Sequence, residues 1–170
     1  MAKNTRKLYW DTTCFLCFLS REEEQRRKIC EDILQNAKQG NVVIYTSTYT
    51  INEVVYPHRS TIPQPRRLTE TEIEKISGMF KWKWLKKIDV DQRVAFKAVE
   101  LSRDYRLRPA DAIHAASAIL KAVDALQKWD RDFDKVSHLV NVEEPNMISN
   151  QSSFNGMLPQ IGPHPDDFSL

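Results

Sequence analysis

A three-layer α/β/α domain with a mostly parallel central sheet is the fold class this sequence predicts, on three observations. Short apolar runs of strand character alternate along the chain with longer stretches whose apolar residues recur at helical spacing. Strands separated by helices imply parallel pairing, with both faces of the sheet covered. Four glycines in 170 residues are too few for the turns of a loop-rich all-β fold. Helix caps stand at the junctions between the two patterns. The length suits one domain, or one domain plus a tail.

The elements follow in order. Residues 7–10 form a short strand that ends at Asp11. Residues 12–19 and 22–38 read as helices; Glu22, Glu23 and Glu24 open the second and Lys38 stands near its end, the charge order a helix dipole favours. Gly40 closes that helix, and the apolar run Val42 to Tyr45 suits a buried parallel strand. Thr46, Ser47 and Thr48 offer N-caps for a helix over 48–56, which carries Glu53 and stops at Pro57. Residues 57–68 are a basic, linker-like loop. Thr69 and Glu72 are spaced as a capping box for a helix over 70–80, and a third strand lies within Trp82 to Val90. Residues 91–105 repeat apolar groups at helical spacing, and Pro109 sits at the first position of an alanine-rich helix reaching Val123. Leu126 to Trp129 and Leu139 to Val142 read as the last strands. Four of the eight prolines fall in residues 145–170, so the domain is expected to span 1–144 and the remainder to be disordered or to dock without regular structure.

Charge narrows the function. The net charge of +2 excludes recruitment to nucleic acid by bulk charge, so phosphate contacts need a local patch. No run of eighteen apolar residues occurs, and none follows the basic segment Met1 to Lys7, so neither a membrane span nor a secretory signal is expected. A cytoplasmic setting with reduced thiols is expected for Cys14, Cys17 and Cys30. Cys14 and Cys17 are spaced C-x-x-C, but no second Cys or His pair completes a metal set, and they read as packing residues.

Acids carry the chemistry. In an open parallel sheet, ligands bind beyond the carboxyl ends of the strands. Asp11 and Asp130 fall there, and Glu53 and Asp111 lie early in helices; if those helices run back from the same edge, all four acids converge. Four carboxylates sharing a pocket need a cation, and an oxygen-only set favours Mg²⁺ or Mn²⁺. Such an ion binds a phosphodiester oxygen and activates water, which suggests cleavage of a nucleic-acid backbone. Each acid also has a plain structural reading: Asp11 caps a helix, Asp111 complements a dipole, and Asp132 or Asp134 competes with Asp130 for the inward position.

The motif residues resemble a known family. Tyr9-Trp10-Asp11-Thr12-Thr13, Thr46-Ser47-Thr48-Tyr49-Thr50-Ile51-Asn52-Glu53-Val54-Val55, Leu107-Arg108-Pro109-Ala110-Asp111-Ala112-Ile113-His114-Ala115-Ala116-Ser117-Ala118 and Trp129-Asp130-Arg131-Asp132-Phe133 are similar, in this order, to the motifs of PIN-domain nucleases. The third is the most specific, and the resemblance is closest to the VapC-like ribonuclease branch. It implies a PIN-like fold and a Mg²⁺- or Mn²⁺-dependent endoribonuclease that is the toxin of a toxin–antitoxin pair. It also implies RNA as substrate, a small antitoxin as partner, and Asp11, Glu53, Asp111 and Asp130 as the acidic metal-binding set. Lys128 departs from the Thr or Ser that the family commonly places two residues before the last acid. That departure favours a second reading, a catalytically weak RNA-binding or interaction module.

Substrate contacts are expected from Thr12, which stands beside Asp11, and from Arg66, Arg67, Lys81 and Lys83. The last two interleave with Trp82 and Trp84, an arrangement that suits single-stranded RNA and equally suits a lysine-guarded edge strand. His114, one turn after Asp111, either orients substrate or packs in the core. A homodimer, implied by the resemblance, would use Val54, Val55, Tyr56, Ile73, Ile76 and Met79, which otherwise cover the sheet.

Overall fold

The computed structural model describes residues 5–20, 23–56, 68–129 and 131–148. The chain runs β1 (Arg6–Trp10), α1 (Thr12–Leu19), α2 (Glu24–Lys38), β2 (Val42–Ser47), α3 (Tyr49–Val55), α4 (Glu70–Met79), β3 (Leu85–Ile88), α5 (Gln92–Tyr105), α6 (Pro109–Lys121), β4 (Ala125–Gln127), a 3-10 turn (Asp132–Val136) and β5 (Val142–Glu143). Five strands form one sheet in the order β3-β2-β1-β4-β5, and every neighbouring pair is parallel.

Strand alternation divides the core into two layers. Leu8, Trp10, Val42, Ile44, Leu85 and Ala125 face one side, under α1 to α4. Tyr9, Leu126, Tyr45 and Ile88 face the other, against α5, α6 and the 3-10 turn. The three-layer expectation holds. Its local devices hold as well: Thr69 and Glu72 close a complete capping box at α4, Pro109 opens α6, and Gly40 takes the left-handed conformation, φ +78°, after α2.

Three of the boundaries that differ from expectation have a visible cause. Thr46 and Ser47 extend β2 by pairing with Lys87 and Ile88, so α3 begins at Tyr49. β4 ends at Gln127 because the next ladder position is lost: the Trp129 N–H donates to the Thr13 hydroxyl at 3.1 Å. The fifth strand starts three residues later than expected. The N–H groups of Leu139 and Val140 both turn back to the Val136 carbonyl, at 2.9 and 3.2 Å, and hold that stretch in a turn.

Beyond β5 the chain still touches the domain. Pro145 is buried, the Ile148 N–H donates to Asp32 Oδ2 at 2.7 Å, and the Ile148 side chain lies on the α1–α4 core. Residues 149–170 of the expected tail lie outside the described residues. No helix among the described residues is long and apolar enough to cross a membrane.

Five of the six residues expected at a dimer contact pack within the domain itself. Val54, Val55, Ile76 and Met79 are buried and Ile73 packs against the same core, leaving Tyr56 as the one exposed member. Their burial fits the sheet-covering alternative.

Candidate functional site

Asp11 follows β1, the central strand, at the carboxyl edge of the sheet. It is buried, with 3% of its surface exposed, and a buried carboxylate needs partners. The Cys14 N–H donates to its Oδ1 at 3.2 Å, which caps α1, and the Thr13 hydroxyl donates to the same oxygen at 2.6 Å. Thr13 in turn accepts from Trp129, so one threonine ties Asp11 to the chain that leaves β4. Sequence reading passed over Thr13, although a hydroxyl two residues after a capping acid is a local signal of such a link.

Glu53 projects from α3 toward the same edge. Its Oε2 accepts hydrogen bonds from the Thr12 hydroxyl and, at 2.7 Å, from His114 Nε2. Burial pushes its pKa upward, but the hydrogen bond and charge of His114 and the Thr12 hydroxyl outweigh burial, and the net shift is downward. Glu53 is therefore ionised at neutral pH. Thr12, expected to touch substrate, donates its hydroxyl proton to Glu53.

Asp111 is the third residue of α6 and half-buried. Two tyrosines tie the acids together electrostatically. The Tyr9 hydroxyl has its pKa raised first by burial and also by the charges of Asp11 and Glu53. Tyr49, the first residue of α3, is raised by burial and by Glu53 and Asp111. Asp11, Glu53 and Asp111 thus lie toward one end of the sheet in the structure. Asp130 lies outside the described residues. Of its two competitors, Asp134 is committed to an ion pair with Lys128 at 3.1 Å. Lys128 itself is 6% exposed and follows the Trp10–Gln127 register pair, which puts it level with Asp11 on the adjoining chain.

Other expected contacts lie elsewhere. Lys81 and Lys83 are exposed but precede β3, whose residues then run in parallel with β2 toward the acidic edge. They sit at the opposite end of the sheet. Trp82 and Trp84 stack on one another, ring centroids 4.8 Å apart, and pack on the core, the edge-strand alternative. Arg66 and Arg67 lie outside the described residues. The cysteines are free, and Cys14 and Cys30 are buried. Burial pushes the Cys17 thiol up to about 11 and the Cys30 thiol up to about 12, which leaves both inert at neutral pH.

All-oxygen donors suit a hard divalent cation in kind. In number, the described residues fall short of the four-acid expectation. Among them, no three His, Cys, Asp or Glu side chains converge closely enough to hold an ion.

A family model described as PIN domain matches residues 8–139. A ribonuclease named VapC6 from Methanocaldococcus jannaschii is 30% identical over 90 residues, covering 53% of this chain and 59% of its own length. This chain thus spans well under two thirds of that relative. The structure is similar to one described as a toxin–antitoxin complex from Klebsiella pneumoniae, with a TM-score of 0.56 and 21% identity over 83% of this chain and 99% of the other. It is also similar to VapBC2 from Rickettsia felis bound to a promoter DNA fragment, with a TM-score of 0.58 and 16% identity over 82% and 99%. At these identities the solved structures attest a shared fold.

Proposed function

The chain belongs to the PIN domain family, and from that premise we propose that it is a divalent-metal-dependent endoribonuclease and the toxin of a toxin–antitoxin pair. One observation carries the reading: Asp11, Glu53 and Asp111 come from three separate elements to one end of a parallel sheet, where ligands of such sheets bind. The names of the relatives, a ribonuclease and toxin–antitoxin complexes, support the same class.

In this reading Asp11 and Asp111 hold Mg²⁺ or Mn²⁺, joined by Asp130. When bound, the ion neutralises phosphodiester charge and makes water a better nucleophile. Asp11 is held for that task by the α1 N-terminus and Thr13. Asp111 sits in the first turn of α6, where the helix dipole favours a carboxylate. Glu53 keeps a negative charge beside them, with Oε2 fastened by two donors. Its Oε1 makes no hydrogen bond among the described residues, which leaves that atom to accept a proton from attacking water. An antitoxin fits the same edge through an Arg or Lys entering among the acids.

Cleavage of a mixed RNA by the purified chain, with Mn²⁺, with Mg²⁺ and with chelator, tests the proposal. Metal-dependent internal cuts are expected. Asp11→Asn and Asp111→Asn are each expected to lower the rate at least about 100-fold. A second reading, an RNA-binding module of weak activity, is favoured by buried Lys128, which brings a fixed cation level with Asp11. RNA bound without cleavage at saturating metal would select that reading.

A further inference from the structure

His114 is 2% exposed, on the buried face of α6. It stands among three aromatic rings, those of Tyr9, Tyr49 and Phe133, with centroids 6.0, 6.2 and 6.5 Å from its own. Both ring nitrogens are engaged. Nδ1 lies 2.9 Å from the Tyr9 hydroxyl, and Nε2 lies 2.7 Å from Glu53 Oε2 and 3.3 Å from the Thr12 hydroxyl.

The Glu53 carboxylate is acceptor-only, so Nε2 carries the proton of that bond. Tyr9 closes the other side of the ring at Nδ1. The Tyr9 oxygen accepts the Ser47 N–H at 3.1 Å, which turns its proton away from β2. The nearby Ser117 hydroxyl spends its own proton on the Ile113 carbonyl at 2.8 Å. Burial and the neighbouring acids keep the phenol protonated.

We propose that His114 is a positioning residue: held at Nδ1 by Tyr9, its ring presents Nε2–H to the Glu53 carboxylate and holds that carboxylate at the acidic edge of the sheet. The hydrogen-bonded line runs from Ser47 through Tyr9 and His114 to Glu53, from the end of β2 through β1 and α6 to α3. One buried line thus sets a side chain on an otherwise short helix. The effect on catalysis rests on the endoribonuclease reading; the direction of the His114–Glu53 bond does not.

Long-range proton–nitrogen correlation on histidine-labelled full-length protein near neutral pH reads the proton on Nε2 directly. The His114 signals are assigned by their loss in His114→Gln. The expected result is a protonated Nε2, with the ring signals shifted in Tyr9→Phe. An unprotonated Nε2, or an unchanged spectrum in Tyr9→Phe, overturns the proposal. Single-turnover RNA cleavage is the second arm. His114→Ala is expected to slow cleavage about 10–100-fold with RNA affinity unchanged, and His114→Gln, whose amide can donate at the Nε2 position, to recover most of the rate. A Gln variant as slow as Ala, or loss confined to RNA affinity, counts against positioning. Absence of cleavage by the unaltered protein refutes the nuclease reading alone, because the proton on Nε2 is still read without it.

Discussion

At the residue scale, Asp11 separates function from stability. Asparagine caps a helix about as well as aspartate, so Asp11→Asn is expected to cost less than about 1 kcal/mol in chemical denaturation, while metal-dependent cleavage collapses. A large stability loss would instead make Asp11 a structural acid. Glu53 supplies a pH signature. Its pKa lies below the ordinary 4.5 in the folded state, so near that value the unfolded chain binds more protons than the folded one. The stabilisation is complete above the unfolded pKa and is lost as the pH falls through the folded one. Glu53→Gln should therefore flatten the decline of the unfolding midpoint below about pH 4.5; an acid limb of unchanged steepness would deny Glu53 its partners. Asp11, Glu53 and Asp111 could be found from the sequence because each follows a local cue, a strand end or a helix start. The partnership of Tyr9 with His114 could not: the two are 105 residues apart, and their meeting depends on how α6 crosses the sheet.

At the scale of the element, α4 depends on its own first turn. The Thr69 N–H donates to Glu72 Oε2 at 2.7 Å and the Glu72 N–H donates to the Thr69 hydroxyl at 3.3 Å. Thr69→Ala is expected to cost about 1 kcal/mol in urea unfolding, with cleavage unchanged. No loss would mean that burial of Ile76 and Met79 alone holds the helix. Spacing on this helix was legible but its meaning was not, because an apolar stripe serves a core and a partner equally well. Strand ends were harder. Lys81 and Lys83 fall at the wrong end of β3 for the acidic edge because the third strand starts only at Leu85, a boundary that the mixed Trp–Lys run conceals.

Across the whole molecule, the residues after β5 link the last strand to α2. A chain ending at 144 is expected to unfold at lower urea than one ending at 148, by about 1–3 kcal/mol, because it loses the Ile148 packing and its bond to Asp32. Equal midpoints would make this segment an ornament. The three-layer architecture was readable because strand and helix periods differ so plainly, whereas the docking of four residues without periodicity was not. The position of β1 has its own consequence in time. β1 is made first, yet Trp10 meets Gln127 only after 117 further residues have been synthesised. Such long-range pairing is the slow, late part of folding. A partly translated chain holds the strand that carries Asp11 but neither β4 to fix it nor α6 to bring Asp111 beside it. On the proposed nuclease reading, the acidic edge is therefore assembled only when the domain is nearly whole.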